Sequence, residues 1–129
     1  MPHAAIHRRR DVPPRDRGAL VAAVNRAMIT ALRVPEDSHP VRLSEYDADA
    51  FLIPKGCGDG FTLVDITIYP GRTPETKRAL YRFVIAELEA LGIAPMDVRI
   101  VLYEVPREHW GLRGGIPASE IELGFTVEV

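Results

Sequence analysis

Cysteine is almost absent. Cys57 stands alone in 129 residues, so no internal disulfide can form. A lone thiol in a chain of this size fits a reducing compartment, and Cys57 has no neighbour that marks it as a nucleophile. A dominant charge of one sign is also missing. A formal net charge of -2 argues against a dedicated nucleic-acid binder. No apolar run is long enough for a signal peptide or a membrane span, and the expected location is the cytoplasm. The four histidines, His3, His7, His39 and His109, lack metal-ligand spacing, so no metal is expected. The stretch Gly56-Cys57-Gly58-Asp59-Gly60 lacks the lysine and spacing of a phosphate loop and reads as a flexible connector. No cofactor is expected.

What is present is an ordinary globular composition, 47% hydrophobic and 26% charged. Its length suits one domain spanning 1–129. Residues 3–8 read as a strand, followed by a charged, proline-marked turn. From 15 to 32 the apolar residues Leu20, Val21, Val24, Ala27, Met28, Ala31 and Leu32 recur at helical spacing. Pro14 fits a first helical turn and Pro35 ends the helix. Residues 41–46 alternate as a strand, and 47–60 form a long loop with a short strand expected at 51–53. Residues 61–69 give the strongest strand signal in the chain. Thr73 is the expected N-cap of a second helix, with Pro74 at its first position and Gly92 at its end. Further strands are expected at 98–105 and 121–129, with a short helical turn at 107–110. The run Gly111-Leu112-Arg113-Gly114-Gly115 reads as a turn at a subunit contact.

The two halves match without a gap at a shift of 60 positions. Ile6 falls on Ile66, Pro14 on Pro74, Leu20 on Leu80, Val24 on Val84, Pro35 on Pro95, Asp37 on Asp97 and Val41 on Val101. The repeat units are 2–60 and 61–129. Strand, crossing helix and second strand make a parallel pair with a right-handed crossover. Two such units predict an α/β (α+β) fold: a tandem β-α-β repeat with a four-stranded mixed sheet and two helices on one face. The opposite face then needs a cover, and its residues read as apolar enough to need burial. Self-association supplies that cover most simply.

The N-terminus carries the sharpest chemical signal. Met1-Pro2 permits removal of the methionine, which leaves Pro2 with a free secondary amine on a rigid strand. An α-amine titrates at about 7.7–8.0, so it serves as acid or base near neutrality. Burial lowers that value by disfavouring the cation. Arg72, at the turn into the second helix, is a natural clamp for a carboxylate, since guanidinium binds it bidentately and stays charged. Trp110 reads either as a pocket wall or as interface packing, and Tyr69, on a strand that should end near Pro2, is a further candidate.

Pro2 with tandem β-α-β units, Gly71-Arg72-Thr73-Pro74-Glu75-Thr76-Lys77 entering a helix, Leu91-Gly92-Ile93-Ala94-Pro95-Met96-Asp97-Val98 leaving it, and Glu104-Val105-Pro106-Arg107-Glu108-His109-Trp110-Gly111 together resemble the tautomerase superfamily, in its malonate semialdehyde decarboxylase-like, two-unit branch. The resemblance implies a homotrimer and a small carboxylate-bearing substrate, with neither membrane nor nucleic acid as partner. It implies Pro2 as general base or acid, Arg72 as substrate-binding residue and Trp110 as pocket tryptophan, with Tyr69 beside them. It points to keto–enol tautomerisation of a small 2-oxo or unsaturated acid. The alternatives are decarboxylation or hydration with a protonated Pro2, and a non-catalytic binding module. The chain departs from the family at three places. Of the two arginines that flank a proline before the second helix in the decarboxylases, Arg72 matches the second, and Pro70 stands where the first would be. Arg10-Asp11-Val12-Pro13 lacks the substrate-binding arginine of the first turn, leaving Arg8, Arg9 and Arg10 as nearby substitutes. Ser38 falls where the decarboxylases carry an aspartate, with Asp37 and His39 on either side, so all three are substrate-binding candidates.

Overall fold

The computed structural model describes residues 2–36, 39–122 and 124. Strand β1 (His3–Arg9) leads to helix α1 (Arg17–Leu32) and then β2 (Val41–Tyr46). The second half runs in the same order through β3 (Thr62–Ile68), α2 (Pro74–Glu89) and β4 (Val98–Glu104). Two short strands, β5 (Gly111–Leu112) and β6 (Ile116–Pro117), then pair as a hairpin. The main sheet has the order β2-β1-β3-β4. β1 and β2 are parallel, as are β3 and β4, and β1 meets β3 antiparallel. The expected four-stranded mixed sheet with two helices is therefore the fold. Among the described residues no helix is long and apolar enough to cross a membrane.

The pairing explains why a shift of 60 aligns the halves. Ala5 lies opposite Asp65, its own counterpart, so a pseudo-twofold axis passes through that pair. The buried helix faces keep the same spacing: Leu20 and Leu80, Val24 and Val84, Met28 and Leu88. These residues form one core with Ala4, Ile6, Val64, Ile66 and Ile68 of the sheet. Each fully buried aliphatic side chain contributes about 1.5–3 kcal/mol, which makes the helix-facing side of the sheet the main source of stability.

The helix ends do not follow the shift. Thr73 caps α2 by accepting from Thr76 N, and Pro74 occupies the first turn as expected. α1 begins later than expected, at Arg17, because Asp16 is its cap and accepts from Ala19 N at 3.0 Å. Pro14 consequently lies ahead of the cap rather than in the first turn. Arg8 holds that loop in place. It is 1% exposed, and its guanidinium donates to Thr62 Oγ1 and to the carbonyls of Val12, Pro13 and Pro14 at 2.8–3.2 Å. α1 closes on Arg33 in the left-handed region, φ 54, with its N–H on Ile29 O, so the helix stops before Pro35 is reached.

Other expectations need correction. Residues 51–53 form no strand: the Phe51 ring stacks on Tyr46 at 5.1 Å, and the chain bends there. The expected strand at 121–129 lies mostly outside the described residues; within them, Ala118–Glu120 is a short 3-10 turn and Ile121 belongs to no strand. The run at 111–115 contributes β5 and the hairpin turn. The sheet face away from the helices is not broadly apolar. Strand alternation sets His3, His7, Asp65, Arg42 and Arg99 there beside Leu63, Val101 and Tyr103. At its centre His7 Nδ1 is 2.6 Å from the Tyr46 hydroxyl and His7 Nε2 is 3.4 Å from Asp65.

Candidate active site

One end of the sheet gathers the residues that the sequence singled out. β1 and β2 begin there and β3 and β4 end there, as their directions require. The C-terminus of α1 and the N-terminus of α2 reach the same end, because each helix connects parallel strands. Pro2 is buried at this end. β1 pairs Ala4 with Val41 and His3 with Thr67. Continued outward, those registers set Pro2 between His39 and Ile68.

Trp110 lies at the same end of the sheet. Its ring meets His3 edge-on at 5.5 Å and Tyr69 edge-on at 4.8 Å. Its indole N–H donates to Val105 O at 2.9 Å, so the ring offers a wall rather than a donor. Val105 N in turn donates to Ile68 O, which ties the segment after β4 to the end of β3. Trp110, Tyr69, Leu112 and Ala118 make a second small apolar cluster behind the site.

Tyr69 is 1% exposed, and its hydroxyl has no hydrogen-bond partner among the described residues. Burial pushes the phenol pKa up, while Arg107 and Arg72 pull it back. Both cations therefore stand within electrostatic reach of that hydroxyl. Arg72 is 5% exposed and donates from Nη2 to Leu32 O, the last carbonyl of α1, at 3.4 Å. The turn before the N-cap thus carries its charge inward, between the two helix ends. Arg107 sits in a short 3-10 turn, Arg107–His109, just past β4. Sequence reasoning misses this residue, although a cation three residues before the candidate pocket tryptophan is an available signal.

His39 is half-buried, with Nε2 2.5 Å from Asn25 Oδ1 on α1. Burial lowers its pKa, and the positive charge of the amino terminus lowers it further. His3 is also lowered, by burial and then by Arg42. Asp37 and Ser38, the other two candidates beside His39, lie outside the described residues. Arg8, Arg9 and Arg10 do not join Pro2 within the chain, because they lie at the opposite end of β1. Arg8 is held by the loop carbonyls, Arg9 donates to Phe51 O, and Arg10 pairs with Asp47 at 2.6 Å. Among the described residues no group of three or more His, Cys, Asp or Glu could hold a metal ion.

The family described as "Tautomerase enzyme" matches residues 39–113. Probable tautomerase YusQ of Bacillus subtilis (strain 168) is 29% identical over 121 residues, covering 89% of this chain and 95% of that protein. Probable tautomerase RSp0893 of Ralstonia nicotianae is 40% identical over 58 residues, covering 44% of this chain and 81% of that protein. Among solved structures, a fused 4-OT described as a symmetric trimer is similar at 29% identity and TM-score 0.80, covering 91% of this chain and 96% of that one. A malonate semialdehyde decarboxylase shares the fold at TM-score 0.76 and 23% identity, covering 85% of this chain and 88% of that one. Family match, relatives and fold agree, and the chain belongs to the tautomerase superfamily.

Proposed function

We propose that this tautomerase acts on a small 2-oxo or unsaturated carboxylic acid, using the amine of a trimmed Pro2 as general base and acid. The observation that carries the reading is the burial of Pro2 at the sheet end where Arg72, Tyr69 and Trp110 gather. The neutral amine takes a proton from the carbon α to the carbonyl. The C–H electron pair becomes the new C=C bond, and the carbonyl π pair moves onto oxygen. The proton then returns at another position, completing keto–enol tautomerisation.

Each neighbour has a part. Arg72 binds the carboxylate bidentately, because its planar guanidinium matches two oxygens and stays charged. Trp110 walls the pocket and excludes water. Apolar surroundings lower the amine pKa and a bound carboxylate raises it, so the site is poised near working pH. A fixed strand end positions the nitrogen before substrate arrives, which removes part of the entropic barrier.

The same reading takes the protein as a homotrimer. The sheet face away from the helices leaves Val101 36% and Tyr103 49% exposed, and the similar fused 4-OT is described as a symmetric trimer. Decarboxylation or hydration would need a protonated Pro2 donating to a carbonyl. It is the weaker reading, because Pro70 stands where the decarboxylases carry the first of two arginines, of which Arg72 matches only the second.

The test is intact mass of natively expressed protein paired with a screen of 2-oxo acid enolisation. The expected result is loss of Met1 and enolisation above the uncatalysed rate. Full activity in protein that retains Met1 overturns the proposal.

A further inference from the structure

Pro2 has a titratable neighbour. The parallel ladder of β1 and β2 continues past its first pair, with Ala4 N donating to Pro40 O at 3.2 Å. One step further back, the register sets Pro2 beside His39. Val41 and Leu43 pack on the helix-facing core, so alternation turns His39 to that side too. There Nε2 meets Asn25 Oδ1 at 2.5 Å. An amide oxygen only accepts, so the bond fixes the Nε2–H tautomer and makes Nδ1 the basic nitrogen.

We infer that His39, oriented by Asn25, is a second proton-transfer group beside the Pro2 amine. This rests on Pro2 being the acid–base centre. In the step, the Nδ1 lone pair takes an N–H proton from the Pro2 ammonium, giving imidazolium and neutral secondary amine. The reverse step returns the proton, and no other reactant is consumed. His39 acts on the reacting nitrogen directly, while Asn25 is a positioning residue.

The charged groups around His39 come from several elements. The amino-terminal charge acts on it. Arg26 and Glu36 line a cavity of about 460 Å³ together with Asn25. Arg72 lies at the end of α1, and His3 and Arg42 meet on the opposite sheet face. Among these, the amino terminus adds to burial in lowering His39.

The test uses protein that begins at Pro2, with phenylpyruvate as the probe. His39→Gln is expected to lower kcat roughly 10- to 100-fold with KM within about twofold, in line with lost proton transfer. Asn25→Leu lowers kcat in the same direction. Asn25→Asp keeps an acceptor, restores the rate, and moves the His39 limb of the pH profile upward, because a carboxylate favours imidazolium. Circular dichroism checks the fold of each variant, and the Asn25→Asp limb shift stands whether or not Asn25→Leu folds. Wild-type kcat and pH profile in His39→Gln, or an unmoved limb in Asn25→Asp, overturns the inference and leaves Pro2 in place. Full activity after adding one N-terminal residue overturns the Pro2 assignment and this step together.

Discussion

Trp110 meets Tyr69 edge-on, with ring centroids 4.8 Å apart and planes at 65°. Such a pair contributes about 0.5–1.5 kcal/mol beyond the area it buries. Here it also fixes a hydroxyl that no described group bonds. An unpaired buried hydroxyl costs stability, so a residue kept in this state points to a ligand rather than to the fold. Tyr69→Phe is expected to raise stability by up to about 1 kcal/mol while weakening substrate binding. A raised urea midpoint with a raised KM checks it; a lowered midpoint contradicts it. The phenol pKa is raised in the folded state, first by burial, with Arg107 and Arg72 opposing. Its contribution is therefore full below about pH 10, the unfolded value, and lost as pH rises through the folded one. Wild type should lose stability more steeply than Tyr69→Phe in that alkaline window.

Arg8 is a scaffold residue. Its fork serves four oxygens at the end of the sheet remote from Pro2. Arg8→Leu leaves those carbonyls without their donors and should cost about 3 kcal/mol. Arg8→Lys should recover part of that, since an ammonium cannot span the same fork. Urea unfolding measures both, and wild-type stability in Arg8→Leu would refute the role.

Arg72 separates binding from folding. Arg72→Ala is expected to raise KM for a carboxylate substrate at least about tenfold, the loss of a charge-assisted bidentate pair. Turnover of an ester analogue should change far less. Unchanged kinetics with the acid would assign the clamp to Arg107 or to another cation.

Assembly tests the exposed sheet face. Light scattering should give three times the 14.3 kDa chain mass at micromolar concentration. Val101→Glu, placed on that face, should shift the population toward monomer by burying an unpaired charge at the contact. A stable wild-type monomer contradicts the trimer.

The tandem repeat was legible because burial wrote it into the sequence. Leu20 and Leu80, or Val24 and Val84, answer the same packing demand, and a shift of 60 exposes them. Thr73 and Pro74 marked the start of α2 for the same local reason that they cap it. The start of α1 was less legible, because Asp16 and Pro14 both carry start signals and the choice depends on Arg8, a contact from another strand. Pro2, Arg72 and Trp110 stood out as residue types with chemistry. Asn25 did not, since its bond to His39 depends on the β1–β2 register rather than on spacing along the chain. Nor did the polar centre of the open face, where His7, Tyr46 and Asp65 come from three different strands.

The central claim is that the Pro2 amine performs the chemistry. It is tested most directly by comparing kcat/KM on phenylpyruvate for protein that begins at Pro2 and protein carrying one added N-terminal residue. The extension converts the amine to an amide, which cannot act as a base, and leaves the sheet unaltered. Enolisation is predicted to fall to the uncatalysed rate in the extended protein, while Pro2→Ala, which keeps a primary amine, retains part of it. Equal kcat/KM for the trimmed and extended proteins would contradict the account.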